Sequence, residues 1–366
     1  MAKIPELIDG NTLVNLASTL LEHFGATPSH PSIQGISSSL KGAKKVAVIL
    51  LDGLGYYVRR THFEAAKLLI ESEIATISSV NPATTVAATT AFLSGLYPKE
   101  NGWLGWVSAF PDGNYLSFTG KNAATDSFDE AKHELPPYES IVEKIARAGH
   151  GASFVFPEVV GTGGPKDFDG ELALIRKLFD EGNEFLYVYW TEPDHEIHDY
   201  GVENPVVDEV IGSLTEKLAT FVETLKEGEA ALVIADHGLI DIQEVDMAEH
   251  PDLLALMSRG FSIEGRAASI FVKEGKEEEF AALFQKHYPN IDLYSHEEAV
   301  ASDFFGPGKP HTTFDSLIGT FLAVPRGNEL LIDRFHYPNG GGFKGHHAGQ
   351  SKEEKTIGVS LFRGKN

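Results

Sequence analysis

Three stretches of the chain share one pattern. "KKVAVILLDG" (44–53), "EFLYVYWTEPD" (184–194) and "EAALVIADHG" (229–238) are apolar, β-rich runs that each stop at an acid. A run without polar alternation suits a strand buried on both faces, which is the environment of a parallel strand under helices. Helical patterns over roughly 62–71, 84–95, 138–148, 170–181 and 206–227 separate these and neighbouring segments. Alternating strands and helices predict an α/β fold with a mainly parallel sheet. Ligand sites in such sheets lie outside the carboxyl ends of the strands, where the acids stand.

At 366 residues and about one domain per 150 residues, the chain should form two domains, or one large core with an insertion. After residue 245 the rhythm changes. "AASIFVKEG", "KEEEFAALFQKHYP" and "IDLYSHEEAVASDFFG" read as strand, helix, strand, helix. This divides the chain into a core of residues 1–247 and 311–366 and a small α/β insertion over 248–310. "TFLAVPRG" (320–327) is expected to return to the main sheet, and "YPNGGGFKGHHAGQ" (337–350) to form a Gly-rich loop.

The net charge of −23 repels nucleic acid and anionic lipid, so neither is an expected partner. An anionic substrate needs a local positive centre, and bound metal is one way to supply it. The chain has no cysteine, which excludes disulfides, thiolate catalysis and cysteine zinc sites. "MAKIPELIDGNTLVNLASTLLEHFG" (1–25) lacks the apolar core of a signal peptide and reads as an amphipathic helix. No apolar run approaches the ~20 residues of a membrane span, and a cytoplasmic location is the default expectation. The sequence does not set the oligomeric state.

Several polar groups carry potential chemistry. Asp52 follows the first apolar run. In "NPATTVAATTAFLSGLYPKENG" (81–102), Thr84 or Thr85 stands at a helix N-terminus. Backbone N–H groups and the helix dipole there favour a phosphate and stabilise an alkoxide. Without cysteine or a Ser-His elbow, a metal ion is the obvious activator of such a hydroxyl. Asp194 and His198 are four apart and share a helical face, whereas His195 and Asp199 face elsewhere. Asp236 and His237 are adjacent at a strand end, and Gly238 permits the turn both would need to reach one ion. "KGHHAGQS" (344–351) offers His346 and His347. Gathered on one sheet edge, these Asp and His residues supply enough ligands for two divalent ions beside one hydroxyl.

The segments "LDGLG", "TTVAATTAFLSGLYPKENG", "EPDHEIHDYG", "ADHGL" and "GHHAG" occur in that order between about residues 45 and 360. In this they resemble the alkaline phosphatase superfamily, and within it the type I nucleotide pyrophosphatase/phosphodiesterase branch. The resemblance implies a three-layer αβα sandwich with a mainly parallel central sheet and a small α/β cap insertion. It implies Thr85 as nucleophile, ten residues before Gly95. It implies one metal held by Asp52, Thr85, Asp236 and His237, and a second by Asp194, His198 and His347, the histidine that directly precedes Ala348 and Gly349. Zinc is the first expectation for both ions, with manganese, iron or magnesium also accepted by such ligands.

The implied reaction is a double displacement through a phosphothreonine on a small phosphate ester, which includes the nucleotide class. One departure stands out. The family's nucleotide-cleaving members carry Asn three residues after the nucleophile, where this chain has Ala88; Asn81 and Lys344 are candidate substitutes. Trp103 and Trp106 are candidates for stacking a base, against simple packing of their loop. The alternatives are a phosphomonoesterase or phosphonate hydrolase using the same metals and, from another class, a non-catalytic sensor of a phosphorylated metabolite.

Overall fold

The structure, a computed structural model, describes residues 10–128, 133, 135–160 and 163–365. Its main sheet has six strands: β1 (Lys45–Leu51), β2 (Glu73–Ser78), β3 (Ala152–Val155), β4 (Phe185–Trp190), β5 (Glu229–Ile234) and β6 (Thr356–Arg363). Their spatial order is β2-β6-β5-β1-β4-β3. β3, β4, β1 and β5 run parallel, and only β6 opposes its neighbours. The three Asp-terminated runs are therefore β5, β1 and β4, side by side in the middle of the sheet. Every residue of β5 and all but the first of β1 are buried, as expected of strands covered on both faces.

One helical layer holds α1 (Leu13–His23), α2 (Thr85–Ser94) and α3 (Ile141–Arg147). The other holds α4 (Phe168–Asp180), α5 (Asp194–Tyr200) and α6 (Pro205–Val222). The sequence-based helix over 62–71 is instead two short helices, Tyr56–Thr61 and Lys67–Glu71. Of the amphipathic reading of residues 1–25, the helix occupies Leu13–His23, while residues 1–9 lie outside the described residues. No helix among the described residues is long and apolar enough to cross a membrane.

A second six-stranded sheet is antiparallel throughout. It runs Ile291–Ser295, Phe321–Pro325, Ala267–Ile270, Ser262–Glu264, Val107–Phe110, Gly113–Leu116. "TFLAVPRG", expected in the main sheet, thus pairs here with Ile291–Ser295 and Ala267–Ile270. The main sheet is completed by β6, whose polar-interrupted "TIGVSLFR" gave no comparable apolar signal. The second sheet also recruits the hairpin 107–116, which lies far from its other strands in sequence.

α4 carries one buried defect. The Glu171 side chain is fully buried and neither of its oxygens has a partner. Burial alone pushes its carboxyl up to about 9. Above its ordinary pKa the unfolded chain releases this proton while the folded chain retains it, so stability falls as pH rises toward 9. The slope is at most about 1.4 kcal/mol per pH unit. Urea midpoints measured from pH 5 to pH 9 should therefore decline less steeply for Glu171→Gln than for the parent protein.

Candidate active site

Adjacent parallel strands place the three acids together. Leu50 is level with Ile234 on β5, and Leu51 with Trp190 on β4. The chains leave the sheet in register: Asp52 N donates to Trp190 O at 2.9 Å, and Asp194 N donates to Asp52 O at 3.1 Å. Gly53 N closes the group by donating to Asp236 Oδ1 at 3.2 Å. Gly53 has φ +72°, and a Cβ there would come within 3.0 Å of the Asp194 backbone. Only glycine permits both this conformation and this approach.

α2 begins over the same edge. Thr84 holds the position before its first turn and Thr85 the first helical position. Their hydroxyls separate the two candidates. Thr84 Oγ1 donates to Glu264 Oε1 at 2.6 Å, away from the acids. Thr85 Oγ1 lies 3.4 Å from both Asp52 carboxylate oxygens and 3.2 Å from His237 Nε2. On α5, one helical turn brings His198 Nε2 within 3.2 Å of Asp194 Oδ2, whereas His195 pairs with Asp199 at the surface. The Gly-rich loop brings His347 Nε2 to 3.8 Å from Asp194 Oδ1 and stacks its ring on His237 at 3.9 Å. His346 also lies close, 4.8 Å from His198 between ring centres, but its Nδ1 accepts from the His347 backbone N–H.

All seven sequence-selected residues, Asp52, Thr85, Asp194, His198, Asp236, His237 and His347, therefore meet at one place. Asp194, His237 and His347 present donor atoms within 4.8 Å of one another, as do Asp52, Asp236 and His237. Asn81 is fully buried with both amide atoms unpartnered, and Ala88 is buried in α2. Lys344 is exposed, in a surface hollow with Tyr200 and Glu203. Trp103 is engaged in packing, its indole N–H donating to Pro136 O at 2.9 Å, while Trp106 is exposed.

The charge balance of this cluster is unusual. Asp236 is wholly buried and Asp52 is 3% exposed. Among the described residues their ion-pair partners are histidines alone. Burial, then Asp236 and Asp194, push the Asp52 carboxyl well up, and burial raises Asp236. Burial also opposes the charge of Asp194, but His198, with His237 and His346, holds it below the usual carboxylate range. Burial works against His198 as well, yet Asp194 raises it to about 9. Burial and neighbouring imidazoles push His347 far down. Two like charges about 4 Å apart repel by about 4 kcal/mol at an effective dielectric constant of 20.

Asp194 Oδ1 and Asp236 Oδ2 are buried without a hydrogen-bond partner; the nearest imidazole nitrogens are His347 Nε2 at 3.8 Å and His237 Nε2 at 3.5 Å. His198 Nδ1 and His237 Nδ1 face the carbonyl oxygens of Gly345 and Gly238, at 2.9 and 3.2 Å. That contact places a proton on Nδ1 and turns Nε2 toward the acids. Orphaned carboxylate oxygens, pre-oriented imidazoles and the lack of a basic side chain fit divalent cations.

Sequence reasoning missed three supporting residues. Tyr189 donates its hydroxyl to Asp52 Oδ2 in a short hydrogen bond. Glu264, in the second sheet, ties Thr84 to the Trp106 backbone N–H. Arg266 forms a buried bidentate pair with Glu354, at 2.7 and 3.0 Å, and Glu354 Oε1 also accepts from Gly349 N at 2.7 Å. Glu264 and Arg266 had a visible signal, charges within the strand-like "FSIEGRAASI". Tyr189 had none.

An αβα core with acids at three neighbouring strand ends and a hydroxyl at a helix N-terminus is the arrangement of the alkaline phosphatase superfamily. Residues 46–350 match the family model for type I phosphodiesterase / nucleotide pyrophosphatase. The chain belongs to that family of phosphoric ester hydrolases. It is similar to human ectonucleotide pyrophosphatase/phosphodiesterase family member 5, with 25% identity over 142 residues. That match covers 37% of this chain and 28% of the human protein.

Solved structures share the fold. Murine ectonucleotide pyrophosphatase/phosphodiesterase 5 superposes with a TM-score of 0.64 at 18% identity, covering 88% of each chain. An inactive variant of that mouse protein has been solved in complex with AMP. Phosphonoacetate hydrolase from Sinorhizobium meliloti, solved with phosphonoformate, superposes with a TM-score of 0.60 at 16% identity, covering 88% of this chain and 91% of that one.

The Arg266–Glu354 pair spans the second sheet and the loop that carries His347. Removing the guanidinium leaves an unpaired buried carboxylate, a loss of about 3–5 kcal/mol. Arg266→Met should lower the urea-unfolding free energy by that amount relative to the parent protein.

Proposed function

We propose that the protein is a divalent-metal-dependent phosphoric ester hydrolase of the phosphodiesterase/nucleotide pyrophosphatase type, with Thr85 as nucleophile. The observation that carries this reading is the Thr85 hydroxyl, 3.2–3.4 Å from His237 and Asp52 at the head of α2. Asp52, Thr85, Asp236 and His237 would hold one cation; Asp194, His198 and His347 the other. When bound, such ions lower the pKa of the attacking hydroxyl and offset charge on the phosphoryl oxygens.

The protein's own groups set up the rest. Tyr189 and Gly53 N orient the Asp52 and Asp236 carboxylates through hydrogen bonds. The free backbone N–H groups at the start of α2 favour a phosphoryl group beside Thr85. Thr85 Oγ1 loses its proton to water and forms a bond to phosphorus. The P–O bond to the leaving alcohol breaks, and that oxygen takes a proton from water. A second water cleaves the phosphothreonine and restores the hydroxyl. The second sheet, with residues 248–310 at its heart, acts as the cap that selects the ester. Zinc is the proposed ion, and a small phosphorylated molecule the substrate. Fold likeness to phosphonoacetate hydrolase makes phosphonates the second reading of the same site.

Thr85→Ala tests the nucleophile. Its kcat on bis-(p-nitrophenyl) phosphate should fall on the order of 10³-fold or more, while elemental analysis still finds close to the parent's metal content. Parent-like turnover in Thr85→Ala excludes the assignment. For the metal, chelation should abolish turnover and lower Tm, because cations that bind only the folded state stabilise it. Activity and Tm that are indifferent to chelator would remove the metal from the mechanism.

A further inference from the structure

A cavity of about 360 Å³ opens beside the acid cluster, between the second sheet and the Gly-rich loop. Glu264 and His346 form the part of its lining nearest the site. Glu264 bonds Thr84, the neighbour of Thr85, and the His346 ring centre lies 4.8 Å from those of both His198 and His347. Glu264 therefore joins the cavity wall to the head of α2, where Thr85 stands. Most of its wall is apolar: Trp106, Ile263, Leu330, Ile332, Tyr337 and Phe343 line it.

Among the described residues no lysine or arginine lines this cavity. Its acids differ in how they are neutralised. Asp126 pairs with Lys121 at 3.2 Å, and Asp333 with His336 at 2.7 Å. Glu264 is 8% exposed, and its Oε1 accepts from the Thr84 hydroxyl and the Trp106 N–H, with no cationic partner. A carboxylate or second phosphate on the substrate would therefore face a buried acid across an apolar wall, without a counter-charge.

We propose that this cavity receives the non-reacting arm of the substrate, that the arm is an uncharged aryl or alkyl group, and that Glu264 excludes anionic arms. The inference rests on the phosphoester reading of the site and narrows its substrate class. Carboxylated phosphonates and esters that carry further phosphates are refused, and hydrophobic phosphodiesters are accepted. Trp106, exposed at the cavity wall, covers the arm.

Calorimetric titration of the metal-loaded protein with phenylphosphonate and with 3-carboxypropylphosphonate tests this without turnover. Phenylphosphonate should bind about ten-fold more tightly or better, the scale of a hydrophobic pocket's discrimination. Glu264→Gln keeps the acceptor for Thr84 and Trp106 N but removes the charge. It should shrink the affinity ratio about ten-fold, through tighter binding of the carboxylate. Trp106→Ala should shrink it from the other side, through weaker binding of the phenyl ligand. Equal or reversed affinities in the parent protein, or a ratio unmoved by Glu264→Gln, overturn the proposal. In parallel, p-nitrophenyl methyl and p-nitrophenyl phenyl phosphodiesters are assayed. Turnover of either with the binding order reversed overturns the cavity assignment alone. No turnover and no binding of either phosphonate overturns both readings.

Discussion

The trio of buried Asp52 and Asp236 with part-buried Asp194, set at neighbouring strand ends without a lysine or arginine ion-pair partner among the described residues, is the constraint on which this structure turns. Burying carboxylates is costly, and burying several together costs more. The surrounding structure answers that cost with Tyr189, Gly53 N, the His237 backbone N–H and two imidazoles whose Nδ1 atoms face carbonyls. What remains unsatisfied is the set of oxygen and nitrogen atoms that point into the cluster. A hydroxyl at a helix head beside such a set has little structural purpose, because Thr85 caps nothing. The proposed phosphoryl chemistry would give it one.

In the proposed function the second sheet would make a phosphoryl-binding edge selective. It approaches through two buried charges of one hairpin, Glu264 at the end of a strand and Arg266 in the turn that follows. Glu264 reaches Thr84, and Arg266 reaches Glu354 and, through it, Gly349 in the loop that bears His347. The helix that begins at Thr85 and one histidine loop are thus each tied to the second sheet. The cap also sets the polarity of the space above the site, which is apolar with an unneutralised carboxylate at its base.

Most of the core could be read from the chain. Strands β1, β4 and β5 carry uninterrupted apolar runs, because both of their faces are covered, and that signal is strong and local. β6 hid because Gly358 and Ser360 interrupt its apolar run, although residues 357–360 are all buried. The strand Phe321–Pro325 looked like the core strands because its burial is equally complete, yet it pairs in the other sheet. Composition marks burial and cannot name the partner. The hairpin 107–116 joins strands more than a hundred residues away through pairings that no local pattern encodes. At the site, Asp and His residues next to strand ends and glycines announced themselves. Tyr189 did not, since an aromatic residue in a buried strand is ordinary until its hydroxyl is seen to reach Asp52.

The sequence by itself determined the parallel-sheet core, the acids at its carboxyl edge and the list of side chains able to bind metal, because these follow from local periodicity and from motif order. Only the tertiary structure decided which of two adjacent threonines faces the acids, which histidine ring stacks over them, and what chemistry lines the space beyond. Thr84 and Thr85 are chemically identical, but Thr84 is still extended where Thr85 begins the helix, so one points at Glu264 and the other at Asp52. Direction in space, set by packing between segments remote in the chain, is what a linear order of residues cannot carry.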